Sequence, residues 1–280
     1  MPETPAGPAR IVAELEVERW RPGAVGHALD RVAEEVPVTL IYEDVPHGVM
    51  LATPADLEDF AVGFTLSEGL VERPGEIRGV EVRYAAESAE ARISVAWERF
   101  TELLARRRRL TGRTGCGLCG VESAEEAVRA VKPVGEGPTV RVEELHAAIV
   151  ALGQRQPLNA LTGSVHAAAW VRSGHGIETV REDVGRHNAL DKLIGARVRS
   201  GEGFADGFVL LTSRASFEMV QKSAAVGIAF IAAFSAPTAL AVRLARRAGV
   251  TLVAFARERQ HVVYAHPHRL VGVPGDNRLS

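Results

Sequence analysis

The last third of the chain constrains its fold most. Phe208–Leu211, Ile228–Phe234 and Val250–Ala256 are short runs that are almost wholly apolar. Between them lie Phe217–Gly227 and Thr238–Ala248, whose spacing predicts helices, and Gly249 stands where a helix terminator belongs. A strand that is apolar on both faces must be covered on both faces. Strands alternating with helices therefore predict an α/β sheet with helices on either side. The pattern begins near residue 141, with helices expected at "VEELHAAIVALG", "VHAAAWV" and "NALDKLIGARV" and a strand at Ile177–Arg181. Ser223–Val242 holds 20 residues without a charge, long enough to span a bilayer. Gly227, Ser235 and Pro237 interrupt it, so it reads as helix end, buried strand and new helix start. No membrane span is expected.

The first third reads as α+β. Val38–Tyr42 and Gly48–Ala52 are strands joined by a turn through Glu43–Pro46. "TPADLEDFAVGFTLSEG" predicts a helix with Thr53 as N-cap, Pro54 at its first position and Gly69 at its end. Val80–Tyr84 and Ala91–Ala96 alternate like strands. "WERFTELLARRRR" follows as a helix whose terminal arginines complement the carbonyl end of its dipole. Charge is balanced, with 33 basic against 35 acidic residues, so no general field recruits nucleic acid. Of the basic residues only Lys132, Lys192 and Lys222 are lysines. This arginine bias makes any single arginine weak evidence of a binding site. The amino-terminal residues contain no apolar run resembling a signal peptide, and the chain is expected in the cytoplasm.

Both cysteines, Cys116 and Cys119, sit in "LTGRTGCGLCG", a glycine-rich stretch before the capping-box pattern Ser123–Glu126. A structural zinc site needs four ligands, and His266-Pro267-His268 is a poor second pair, so no resident metal is expected. Thioredoxin-like exchange would place the pair at the first turn of a helix after a strand, whereas here a basic helix precedes it. Sulfur transfer fits better. A thiolate that carries sulfur as a persulfide must be accessible and stabilised by positive charge, and Arg113 and the Arg106–Arg109 run supply that charge. The second thiol could release the cargo by forming a disulfide.

Four stretches, "TGRTGCGLCGVES", "TGSVHAAA", "VREDVGRHNALDKLIG" and "SRASFEMVQKSA", occur in the order that resembles the FdhD family of sulfur-carrier proteins for formate dehydrogenase. The likeness runs from about residue 20 to 270. It implies a carrier that accepts sulfur from a cysteine desulfurase and passes it to the molybdenum (or tungsten) bis-guanine-dinucleotide cofactor. That cofactor then enters the formate dehydrogenase apo-enzyme. On this resemblance Cys116 carries the persulfide and Cys119 supports it. Phe255, Ala256, Arg257, Glu258, Arg259 and Gln260 form the cofactor segment, GDP serves as a surrogate for half the cofactor, and the protein is expected as a homodimer. The family is also similar in fold to cytidine deaminases. Those zinc enzymes use H-x-E and P-C-x-x-C; here His166 is kept, Ala168 replaces the glutamate, and no cysteine occurs in "SRASFEMV".

The sequence thus divides into a flexible tail (1–19), an α+β lobe (20–110), a mobile cysteine loop (111–122) and a cytidine-deaminase-like α/β lobe (123–280). Asp183, Arg186 and His187, together with Ser213, Arg214 and Ser216, lie where strands of such a sheet end, and ligands collect there. They read as a pocket wall or as helix caps and loop ion pairs. His166 reads as a pocket residue or as a satisfied histidine at a helix start. The rival to the transferase is a chaperone that only binds cofactor, its cysteines sensing redox state.

Overall fold

The computed structural model describes residues 10–109 and 131–272. An antiparallel hairpin comes first, β1 (Val12–Arg21) with β2 (Ala24–Ala33). The flexible tail expected through residue 19 is therefore a strand from Val12 onward. Alternation in this hairpin is masked by its charges, because most of it faces solvent.

The amino-terminal lobe holds β3 (Val36–Tyr42), β4 (Val45–Ala52), helix α1 (Leu57–Ser67), β5 (Ile77–Tyr84), β6 (Ala89–Val95) and helix α2 (Trp97–Arg109). Its sheet has the order β4-β3-β6-β5, with β3 and β6 parallel. Glu43 and Asp44 both have positive φ, which makes the tight β3–β4 turn. Alternate residues Val38, Leu40 and Tyr42 are buried against Phe60, Leu66 and Phe100. Helix α1 starts later than the sequence predicts, with Asp56 at its N-cap. Thr53 does not cap it; this residue is fully buried and bonded to the other lobe.

The carboxy-terminal lobe continues through β7 (Val140–Arg141), α3 (Val142–Gly153), α4 (Pro157–Thr162), β8 (His166–Arg172), β9 (Gly176–Asp183) and α5 (Arg186–Arg199). It ends with β10 (Gly207–Leu211), α6 (Phe217–Ala225), β11 (Phe230–Ala233), α7 (Ala239–Ala248), β12 (Thr251–Arg257), β13 (Gln260–Ala265) and β14 (Leu270–Val271). Six strands form one sheet of order β13-β12-β11-β10-β8-β9, in which β10, β11 and β12 run parallel. Trp170, Val209, Leu211 and Ile231 face α5, α6 and α7, while Ala169, Leu210, Phe230 and Val253 face α3. Helices cover both faces, as the apolar strands required. "VHAAAWV" is a strand, not a helix. Its alanines favour helix, but Ala167–Val171 is buried between β9 and β10, and burial outweighs propensity. Among the described residues no helix is long and apolar enough to cross a membrane.

The lobes meet where α1 crosses α5. A Cβ added to Gly63 would lie 1.7 Å from the Asp191 carbonyl oxygen, and one on Gly195 would lie 1.8 Å from that of Asp59. Only glycine allows so close a backbone approach. Two buried lysines seal this seam. Lys192 pairs with Asp183 at 2.6 Å, both side chains being fully buried, and donates to the Thr53 carbonyl at 2.9 Å. Lys222 pairs with Asp191 and Glu68, each at 2.8 Å. Burial pulls its ammonium pKa down, but the charges of Asp191 and Glu68 outweigh this and hold it above the ordinary range.

Candidate functional site

Three loops meet at the carboxyl ends of β10, β11 and β12, each fixed by backbone bonds to its neighbour. The Phe234 N–H donates to the Leu211 carbonyl at 2.9 Å, Ala215 to Ala236 at 3.2 Å, and Phe255 to Ser235 at 3.2 Å. Two of these loops run directly into helices, at Ser216 before α6 and Thr238 before α7. The loop from β9 enters α5 through Gly185 on the same side, because His166 and Asp183 pair at the adjoining ends of β8 and β9. Three helix amino ends thus face one surface, and their partial positive charge suits an anion. The Thr238 hydroxyl caps α7 by accepting from the Ala241 N–H at 3.2 Å. Among the described residues no side chain caps α5 or α6.

Side chains add to this field. Arg186 and His187 occupy the first turn of α5. His187 Nε2 lies 2.9 Å from Glu218 Oε2, Arg186 Nη2 lies 3.8 Å from the same oxygen, and the Ser216 hydroxyl donates to it at 3.2 Å. The His187 hydrogen bond, followed by the charges and bonds of its neighbours, holds the Glu218 carboxyl below its usual pKa against the opposing effect of burial. Arg186 Nε is buried with no partner among the described residues. His166 begins β8 and not a helix; burial first, then the positive charge of Arg186, lowers its pKa.

The segment Phe255–Gln260 turns at this same edge. Phe255 has φ 49° and is exposed, and the ladder between β12 and β13 is irregular from Ala254 to Arg257. Arg257 pairs across the hairpin with Gln260, so Glu258 and Arg259 form the turn. The Arg257 guanidinium donates to the carbonyls of Phe234 and Ala256. Arg214 is exposed, while Ser213 is buried and donates to the Arg214 carbonyl at 3.1 Å.

Of the sequence-derived candidates, Arg186, His187, Arg214, Phe255 and Arg257–Gln260 reach solvent at this edge of the sheet, while Ser213, Ser216 and Ala256 lie at the same edge but are buried, Ala256 in the core beneath α3. Asp183 does not present itself there. Both of its oxygens are engaged, by Lys192 and the Thr53 N–H on one side and by Gly185 and Asn188 on the other. Cys116 and Cys119 lie outside the described residues, as does the helix expected after Ser123. Among the described residues no group of three His, Cys, Asp or Glu side chains is placed to hold a metal. A cleft of about 690 Å³ opens elsewhere, between β9, α4 and the base of the β1–β2 hairpin.

The model of the FdhD/NarQ family matches residues 33–271, which include the cysteine pair and every residue of the strand-end surface. The chain belongs to the FdhD/NarQ family. It is 54% identical over 254 residues to the sulfur carrier protein FdhD of Cupriavidus necator, covering 91% of this chain and 88% of that one. It is 49% identical over 269 residues to the sulfur carrier protein FdhD of Xanthomonas campestris pv. campestris, covering 96% and 95%. A crystal structure from Desulfotalea psychrophila, described as a formate dehydrogenase accessory protein, superposes with a TM-score of 0.74 at 24% identity. It covers 94% of this chain and 100% of its own, and establishes the shared fold. The β1–β2 hairpin lies largely before the family match.

Sequence reasoning missed Glu218, the carboxylate on which His187, Arg186 and Ser216 converge. It stands inside the quoted stretch "SRASFEMVQKSA", two residues after Ser216. A signal was present, since an acidic residue in the first turn of a helix beside a basic cluster invites pairing.

Proposed function

We propose that the protein is a sulfur carrier that matures formate dehydrogenase. Cys116 accepts sulfur from a cysteine desulfurase: its thiolate attacks the donor persulfide, gains the outer sulfur, and the donor cysteine leaves as thiolate. Cys119 supports release. The acceptor is the metal bis-guanine-dinucleotide cofactor, bound as substrate on the strand-end surface before it enters the apo-enzyme. The carrier acts in the cytoplasm as a homodimer.

The observation that carries this reading is the convergence of three helix amino ends with Arg186, Arg214 and Arg257 at one sheet edge. Such a surface suits the phosphates of a dinucleotide, and the exposed Phe255 ring offers a face for stacking. The chaperone reading gives the thiols a redox-sensing task and requires no persulfide on Cys116. Intact-mass analysis after incubation with a desulfurase and cysteine distinguishes the two: transfer requires one added sulfur atom that maps to Cys116. Cys116→Ala should abolish both this adduct and formate dehydrogenase maturation, and Cys119→Ala should reduce maturation less. Full maturation by the Cys116 variant would favour the chaperone.

A further inference from the structure

Among its donors and positive charges the strand-end surface carries two carboxylates, the exposed turn residue Glu258 and Glu218, and Glu218 is the one held in place by hydrogen bonds from its neighbours. A phosphate would be repelled by that group, so its place there calls for a ligand that also brings N–H donors. Each described contact of the Glu218 side chain falls on Oε2, from His187, Ser216 and Arg186. Oε1 has no partner among the described residues, and the side chain keeps a quarter of its surface exposed. Its three partners fix its orientation as well as its charge.

Taking as its basis the reading that this surface binds the cofactor's nucleotide, we propose that Glu218 is the residue that selects the base. Its free oxygen, Oε1, accepts from the N1–H and the 2-amino group of guanine. Adenine presents a bare acceptor at N1, which a carboxylate repels, so the same group excludes adenine nucleotides. The layout fits one ligand. Glu218 lies in the first turn of α6, the helix that follows β10, while Arg257 ends β12, and β11 runs between those two strands. A nucleoside diphosphate laid across β11 would set its base at Glu218 and its phosphates toward Arg257.

Calorimetry on the full chain with GDP, IDP, XDP and ADP tests this. The wild type should bind GDP at least tenfold more tightly than IDP, which lacks the 2-amino group, and should bind ADP least. Glu218→Gln should lose tenfold or more in GDP affinity and gain affinity for XDP, because the amide can donate to the 2-oxo group that replaces the amine. A structural role for Glu218 would not produce that exchange of preference. A folded Glu218→Gln that keeps its GDP preference and gains nothing for XDP would overturn the assignment while leaving nucleotide binding intact. Equal wild-type affinity for GDP and IDP would overturn it without any variant. A wild type that binds none of the four would overturn the assignment together with the reading beneath it.

Discussion

Two charged regions grow from the same stretch of chain, residues 183–195, and they differ in one physical respect. At the seam between the lobes, Asp183, Lys192, Asp191 and Lys222 are buried, and their charges are matched within 3.0 Å. At the strand ends, Arg186, His187 and Glu218 keep about a quarter of their side-chain surface exposed, and among the described residues Arg186 Nε has no partner and two helix starts have no side-chain cap. The first arrangement is saturated and has nothing left to offer a ligand. The second holds donors in reserve. Sequence proximity placed Asp183 with Arg186 and His187; their state of saturation separates them.

The largest effect should come from the seam's backbone contact. Gly195→Ala would drive a methyl group into the Asp59 carbonyl, and we expect a loss of about 4 kcal/mol or more, the range of severe core disruption. Chemical denaturation, or simply the soluble yield, will show it. If the variant melts like the wild type, the two lobes do not close as described.

Asp183→Asn should follow. It leaves Lys192 charged and buried without its counterion, which costs about 3–5 kcal/mol in comparable cases. Breaking the Glu218 cluster should cost far less, about 1 kcal/mol or below, because its members reach solvent. Equal destabilisation by Asp183→Asn and Glu218→Gln would erase the distinction between the regions.

The reverse pattern is expected for binding. Replacing Arg257 and Arg259 together with Ala should weaken GDP affinity about tenfold, or ~1.4 kcal/mol. Both side chains are exposed, so unfolding free energy should stay within about 0.5 kcal/mol. Unchanged affinity in the folded double variant would move the phosphate site toward Arg186 and Arg214.

The smallest effect concerns pH. His166 and His261 have pKa values held below 6.5, by burial first and then by the neighbouring charges of Arg186 and His146 respectively. The unfolded chain therefore binds protons at these positions before the folded one does. Their contribution is complete above pH 6.5 and is lost as pH falls through the lowered folded values. Melting temperature should drop between pH 7 and pH 5.5, and His166→Asn with His261→Asn should flatten that drop.

Much of the architecture was legible in the sequence. The apolar runs at Phe208–Leu211 and Val250–Ala256 and the Thr238–Gly249 helix signals gave strands β10 and β12 and helix α7 within a residue or two. Local propensity misled at Ala167–Val171, where alanines suited to a helix are held in a strand by burial alone. The seam left one trace that composition concealed. In a chain that otherwise uses arginine, two of the three lysines are the buried ones, and a compact ammonium fits where a planar guanidinium would not. Glu218 was hidden because its meaning depends on His187, 31 residues away in sequence.

Hydrogen exchange on the full chain, with and without saturating GDP, tests the central claim most directly. New protection is expected in Ser213–Glu218, Phe234–Thr238 and Phe255–Gln260, with the already closed seam around Gly63 and Gly195 unchanged. Protection confined to Arg155–Leu161 and Glu178–Glu182, which line the cleft beside β9, would contradict this and move the nucleotide to the β9 edge of the sheet.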